Sequence, residues 1–190
     1  MSVSLVKGQK ISLSKEVSGL KKITVGLGWD AAKKGLFGFK ANIDCDASAI
    51  ILGENDDYRT CVYYGDRSAE KGCVHHHGDN LTGEGDGDDE QITVDLANIS
   101  DKVKKIVFVV NIYECVSRKQ DFGLIQNAFI RLIDESTGKE ICKYNLSDDY
   151  AGKTAMIFAE VYKKDGEWKF NAIGQGTNDA SISQLIKRYN

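Results

Sequence analysis

Six carboxylates lie between positions 79 and 90 of this chain, with no basic residue among them. Glycines alternate with these acids, and glycine readily adopts the positive φ angles of tight turns. Crowded carboxylates repel one another unless a cation neutralises them, and hard oxygen ligands on an adaptable loop suit Ca²⁺ before Mg²⁺. Six acids exceed what one Ca²⁺ needs, so the segment predicts a site for one or two calcium ions. The acids are Asp79, Glu84, Asp86, Asp88, Asp89 and Glu90.

A solvated acidic loop is the alternative interpretation, since charge runs usually face water. The run stops abruptly, however, and residues 91 to 97 (QITVDLA) alternate like a half-buried strand that would fix one end of the loop. The spacing is not that of an EF-hand, because no Asp-x-Asp-x-Asp-Gly series ends in Glu at the twelfth position. Zn²⁺ is disfavoured because the run contains no soft ligands.

Asp44 and Asp46 form a second acidic pair. Residues two apart on a strand share a face, so these acids would point away from Ile43, Cys45 and Ala47. They are therefore candidate metal ligands, with ordinary solvent-facing acids as the alternative. Asp30, which ends the GLGWD segment just after a strand, is a third candidate, or else a turn-capping residue.

The run GDNLTGEGDGDDE followed by an alternating strand resembles the signature of the TerD family of tellurium-resistance and bacterial stress proteins. Four more segments agree in order, so the resemblance covers nearly the whole chain. It implies a β-sandwich, calcium binding at the acidic loop and a role in stress or tellurite resistance. One branch is similar to proteins described as binding cyclic AMP. The four segments are GLGWD (26–30), IDCDASAIIL (43–52), FGLIQNAFIRLID (122–134) and EWKFNAIGQG (167–176).

The resemblance also widens the expected ligand set to the polar and glycine residues between the acids. These are Asn80, Thr82, Gly83 and Gly85. Where the family usually has FDLDASA, this chain has Asn42-Ile43-Asp44-Cys45-Asp46-Ala47, so both acids are kept.

The length and composition are typical of one globular domain, which we expect to span residues 1–190. Apolar residues make up 42% and charged residues 28%, with a formal net charge of -3. This balance favours neither nucleic acid nor an anionic membrane as partner. No apolar segment is long enough for membrane insertion and the start lacks a signal-peptide pattern, so we expect a cytoplasmic protein. The five cysteines are odd in number and widely spaced, which is typical of reduced, mostly buried thiols.

Short apolar runs rich in β-branched residues predict about nine strands, and Asp165-Gly166 predicts a hairpin turn between the last two. A 3.6-residue period near residues 182–189 predicts a C-terminal helix, with Asn178 or Asp179 as its cap, and residues 117–127 allow another short helix. The expected fold is mainly β: an antiparallel β-sandwich with a few short helices. The strands are expected at 23–29, 43–52, 59–64, 92–96, 105–113, 128–134, 140–144, 155–163 and 167–173.

Two other motifs are only weak indications of a functional site. The consecutive histidines 75–77 lie near Cys73, but on a strand the middle one faces away from its neighbours, which argues against a zinc centre. Gly26-x-Gly28-x-x-Ala31 imitates a dinucleotide fingerprint without the amphipathic helix that should follow it.

Two functional classes follow from these residues. The favoured one is a non-enzymatic calcium-binding protein whose acidic loop folds around the ion and gates binding of partners, such as other stress or tellurium-resistance proteins. The alternative is a metal-dependent enzyme, or a binder of a small molecule such as a cyclic nucleotide, that uses the same acids. The sequence offers no convincing general base or substrate lysine beside the acidic run, although an enzyme would also need an open coordination position that sequence does not show.

Overall fold

The computed structural model describes residues 2–31, 33–34, 39–40, 43–78, 87–146 and 148–189, and at 31, 33–34 and 39–40 it describes the backbone alone. The strands, in chain order, are β1 (Val3–Leu5), β2 (Lys10–Ser12), β3 (Lys22–Ala31), β4 (Lys33–Lys34), β5 (Phe39–Lys40), β6 (Cys45–Leu52), β7 (Tyr58–Val62), β8 (Ser68–Ala69), β9 (Val74–His76), β10 (Glu90–Asp95), β11 (Lys105–Ile112), β12 (Ile125–Asp134), β13 (Lys139–Asn145), β14 (Ala155–Lys164) and β15 (Glu167–Thr177).

Helices are few and short in the described ranges. The α-helices are α1 (Leu13–Glu16), α2 (Cys115–Arg118) and α3 (Ile182–Ile186), and single 3₁₀ turns lie at Glu54–Asp56, Glu70–Gly72, Phe122–Leu124 and Lys187–Tyr189. None of the described helices is long and apolar enough to cross a membrane.

The strands form two large sheets. Sheet one has the order β1-β13-β12-β3-β10-β9-β8, and sheet two the order β2-β15-β14-β11-β6-β7; β4 and β5 pair separately. Among the described strands every pairing is antiparallel except that of β1 with β13, which is parallel. The expected mainly β sandwich is therefore confirmed, with one parallel edge pair that the sequence pattern did not predict.

The core lies between the two sheets, because alternate residues of each strand point inward. On β3 these are Ile23, Val25 and Leu27, and on β6 they are Cys45, Ala47, Ala49 and Ile51; all belong to one buried cluster. This alternation leaves Gly26, Gly28 and Asp30 on the outer face of sheet one.

The outer face of sheet two is also apolar near its centre. Ile50, Leu52, Val107 and Val109 are fully or almost fully buried there, together with Leu185 of α3. The predicted C-terminal helix thus exists and covers this face, as an apolar sheet surface requires. Its expected cap is wrong: the residue preceding the helix is Ser181, whose side chain makes no capping hydrogen bond.

The hairpin turn between two long strands was predicted correctly, whereas the shortest strands were missed. Asp165 and Gly166 have φ angles of 56° and 78° and turn the β14–β15 hairpin, as expected. The strands β1, β2, β8 and β9 were missed because runs of two or three residues carry little periodicity.

Candidate metal centre

The structure divides the expected ligand set into residues that it describes and residues that it does not. Asp88, Asp89, Glu90, Asp30, Asp44 and Asp46 are described. Asp79, Asn80, Thr82, Gly83, Glu84, Gly85 and Asp86 lie outside the described residues.

The C-terminal end of the acidic run is fixed to β3. Strand β10 begins at Glu90, which pairs with Leu27. The Asp89 backbone N–H donates to the Leu27 carbonyl at 2.8 Å, and the Trp29 N–H donates to Asp89 Oδ2 at 2.7 Å. The predicted strand after the acidic run is therefore confirmed, and it holds these acids beside the end of β3.

Asp88 lies directly over Gly26. A Cβ at that glycine would lie 2.2 Å from the Asp88 carboxyl carbon, so only glycine admits this approach. The two strand partners of Gly26 are Gln91 and Arg131. Each donates to the carboxylate, Gln91 Nε2 to Oδ2 at 2.9 Å and Arg131 Nε to Oδ1 at 2.7 Å. Both oxygens of Asp88 are thus engaged, and it would contact an ion only by sharing or releasing one of these bonds.

Glu90 points into the sandwich and joins the two sheets. The pairing of β6 with β7 ends at Ala49. Beyond that point the Ala47 N–H of β6 donates to Glu90 Oε2 at 2.7 Å. The same oxygen lies 3.3 Å from His76 Nε2, and neither side chain has exposed surface. His76 Nδ1 accepts from the Gly78 N–H at 3.2 Å, which leaves the ring proton on Nε2, toward the carboxylate.

The three consecutive histidines do not converge on one point. His76 is buried with Glu90, while His75 and His77 stack edge to face on the other side of β9, with ring centroids 5.1 Å apart. The predicted alternation of these three side chains is therefore confirmed.

Asp30 and Asp89 line one cleft at the end of sheet one. Asn127 Nδ2 donates to Asp30 Oδ2 at 2.8 Å. The pKa of Asp89 is raised, first by burial and then by the charges of Asp30 and Asp88, although the bond from the Trp29 N–H opposes the rise. Negative charge at this end is therefore unfavourable in the absence of a cation.

Asp44 and Asp46 are buried rather than solvent-facing, with 8% and 5% of their surface exposed. They share a face, as the alternation predicted. Arg118 of α2 lies 3.7 Å from Asp44 Oδ2, and Asn111 Nδ2 donates to Asp46 Oδ2 at 3.3 Å. Both acids thus have partners on the outer side of sheet two.

Several of the described acids affect the pKa of the Cys45 thiol. Burial raises the pKa of its thiol well above the ordinary value, and the charges of Asp46, Glu90, Asp44 and Asp89 each raise it further. The charges of four carboxylates, those of Asp44, Asp46 and the end of the acidic run, therefore act on a single buried thiol. The fold concentrates negative charge at this end of the sandwich.

Within the described ranges, no three His, Cys, Asp or Glu side chains are arranged to hold a metal ion. The described acids are neighbours electrostatically, but they do not by themselves form a complete coordination sphere. All five cysteines are free, and all but Cys73 are buried, as the sequence predicted.

Sequence reasoning missed the residues that hold the acids in place: Arg131, Gln91, Asn127 and Arg118. Their signals are weak, because each acts across strand pairs or from a separate helix. The two glycines of GLGWD were the available clue, since Gly26 admits Asp88 and Gly28 admits Phe129.

The TerD domain model matches residues 1–189 of the chain. The stress response protein SCP2 of Bacillus subtilis is 52% identical over 198 residues, which cover 100% of both chains. A tellurium resistance protein TerD of Serratia marcescens is 45% identical over 179 residues, covering 93% of this chain and 91% of that protein.

Two solved structures have the same fold. The crystal structure of a homologue of telluride resistance protein (TerD) from Streptomyces coelicolor A3(2) superposes with a TM-score of 0.72 at 19% identity, covering 90% of this chain and 99% of that chain. A second crystal structure, of a protein of unknown function, gives a TM-score of 0.67 at 23% identity over 87% of this chain and 95% of that chain.

Proposed function

Because the chain belongs to the TerD domain family of tellurium-resistance and stress proteins, we propose that it is a calcium-binding protein of such a response. The acidic loop would fold around one or two Ca²⁺. The observation that supports the proposal is the position of Asp30 and Asp89, which line one cleft at the place where the acidic run enters β10.

The donors available at this end fit calcium. They are carboxylate and backbone oxygens, which Ca²⁺ prefers, and the soft thiol nearby is buried with a raised pKa that disfavours the metal-binding thiolate. The raised pKa of Asp89 has the same implication, because a divalent cation would relieve the repulsion among Asp89, Asp30 and Asp88. The contribution of bound calcium to this site would be its positive charge.

We assign the described acids different parts. Asp30 and Asp89 are the best placed to contact the ion together with residues 79–86. Asp88 and Glu90 act chiefly as anchors, since Asp88 pairs with Arg131 and Glu90 is held by the Ala47 N–H and the His76 ring. Asp44 and Asp46 add to the negative field from β6 and remain candidate ligands.

The proposed role is non-enzymatic and cytoplasmic. Calcium occupancy would set the shape of the loop, and partner proteins of the stress or tellurium response would recognise that shape.

Calorimetric titration of metal-stripped protein with Ca²⁺, Mg²⁺ and Zn²⁺ tests the proposal. Calcium is expected to bind more tightly than magnesium, since Ca²⁺ accepts a flexible oxygen cage whereas Mg²⁺ demands near-ideal octahedral geometry. Absence of binding heat and of any spectral change at millimolar Ca²⁺ would refute it, and tighter binding of Zn²⁺ would reassign the metal.

A further inference from the structure

A cleft of about 490 Å³ opens on sheet one beside Asp30 and Asp89. Its floor and walls come from the ends of β3, β12 and β13 and from the segment that precedes β10. The lining residues are Trp29, Asp30, Gly87, Asp89, Asn127, Phe129, Lys143, Asn145 and Leu146. The volume lies within the range typical of small-molecule sites.

One wall carries a positive charge in a defined place. The Lys143 ammonium lies 3.8 Å from the centroid of the Phe129 ring. Phe129 in turn lies against its strand partner Gly28, where a Cβ would come within 2.4 Å of the ring. Phe129 is thus fixed by the glycine beneath it, and it supports the ammonium by a cation–π contact.

Lys143 makes no ion pair with the described residues, since no carboxylate oxygen there lies within 4.0 Å of its Nζ. The cleft nevertheless contains two carboxylates. Charges of opposite sign therefore line the same cleft without forming an ion pair.

Asn127 lines the cleft at a bulge, where the pairing of β12 with β3 shifts register between Gln126 and Phe129. Its φ angle is 53°, a left-handed conformation that asparagine adopts more readily than most other non-glycine residues. The bulge brings the Asn127 amide to Asp30, and Asn145 adds a second amide to the lining.

We propose that this cleft binds a small oxyanion, a phosphate or carboxylate group, which contacts Lys143 on one side and calcium held at Asp30 and Asp89 on the other. The inference rests on the proposed calcium function and adds a ligand class to it. In calcium-free protein the two carboxylates repel an anion, whereas bound calcium reverses the sign of that wall. Anion and calcium should therefore bind cooperatively.

The test uses inorganic phosphate and acetate as probes, each titrated into the full-length protein with and without saturating Ca²⁺. We expect at least one of them to bind about tenfold more tightly when calcium is present, within the usual range of coupling between sites. By reciprocity the same anion should tighten calcium binding by the same factor. Phosphate binding without acetate binding would assign a phosphate ligand, and the reverse would assign a carboxylate.

Lys143→Gln separates a specific site from general attraction. It should abolish the anion effect, so that calcium affinity becomes independent of phosphate and of acetate. Lys169→Gln, which removes a similarly half-buried lysine from β15 of the other sheet, is the matched control and should bind like the parent.

The outcomes distinguish the two proposals. Calcium binding that neither anion affects, or an anion effect that survives Lys143→Gln, would overturn the oxyanion site and leave the calcium proposal standing. Failure to bind calcium would overturn both.

Discussion

The two ends of the β3–β12 strand pair treat a carboxylate in opposite ways. At one end, Asp134 accepts from the Ser136 N–H at 3.0 Å and from the Ser136 and Thr137 hydroxyls at 2.7 Å each, and these bonds lower its pKa. At the other end, burial and the neighbouring charges of Asp30 and Asp88 raise the pKa of Asp89 despite its bond from the Trp29 N–H. Asp134 closes a turn with the protein's own donors, whereas burial and neighbouring carboxylates oppose ionisation of Asp89.

The largest expected effect is the dependence of stability on calcium. An ion that binds only the native protein adds about 2.7 kcal/mol to the free energy of unfolding at a hundredfold excess over Kd. Chelation should therefore lower the Tm, as measured by differential scanning calorimetry. Asp89→Asn and the double variant Asp86→Ala/Asp88→Ala should lose this calcium-dependent shift. Asp101→Asn, at an exposed acid that pairs with Lys163, should keep it. An undiminished shift in the double variant would mean that residues 79–90 are not the site.

Asp134→Ala should destabilise the protein to the same extent with and without calcium. The substitution removes the hydrogen bonds from Ser136 and Thr137, whose exposed donors then bond to water, so the loss is about the net value of an ordinary hydrogen bond, roughly 0.5–1.5 kcal/mol. Urea unfolding in calcium and in chelator measures both values. A loss that appears only in chelator would show that the two ends are coupled and would remove the contrast between them.

Much of this contrast was accessible from sequence, but its supporting contacts were not. The alternation of residues in β3, β6 and β10 follows from local composition, whereas the cation site indicated by the glycine-rich acidic run stays a prediction. The pairing of Asp88 with Arg131 needs the register of three strands, Gln91 to Gly26 to Arg131, which no local pattern specifies. Burial of Asp44 and Asp46 likewise depends on α2, since alternation alone cannot tell a covered sheet face from a solvated one.

The pH dependence should have opposite signs at the two ends. The pKa of Asp134 is lowered, so its stabilising contribution is present above the unfolded value of about 3.9 and disappears as pH falls through the folded value. The pKa of Asp89 is raised, so the calcium-free native state holds more protons and loses stability as pH rises from about 3.9 through the folded value.

Urea unfolding of chelated protein between pH 3 and pH 7 measures both contributions. Asp89→Asn keeps an oxygen acceptor for the Trp29 N–H and should remove the destabilisation at higher pH, whereas Asp134→Asn should reduce the stability gained there. If Asp89→Asn destabilises the calcium-free protein at pH 7, the interpretation of this end as electrostatically unfavourable is wrong.

The smallest effects are expected from Asp44→Asn and Asp46→Asn. Both charges act on Cys45 together with those of Asp89 and Glu90. Each substitution removes one charge while keeping the shape of the side chain, so it should weaken calcium binding in a titration. Should both variants bind calcium like the parent, the two acids are structural partners of Arg118 and Asn111, and the site is confined to Asp30 and residues 79–90.

The most direct test is a calcium titration followed by backbone amide NMR of the ¹⁵N-labelled, metal-stripped protein. Saturable shifts are predicted at Trp29, Asp30 and residues 87–90, led by the Trp29 amide that donates to Asp89. The amides of residues 134–137, at the far end of the same strand pair, should not move. Calcium shifts confined to residues 134–137, or no saturable shifts anywhere, would contradict a calcium site at the acidic end of the sandwich.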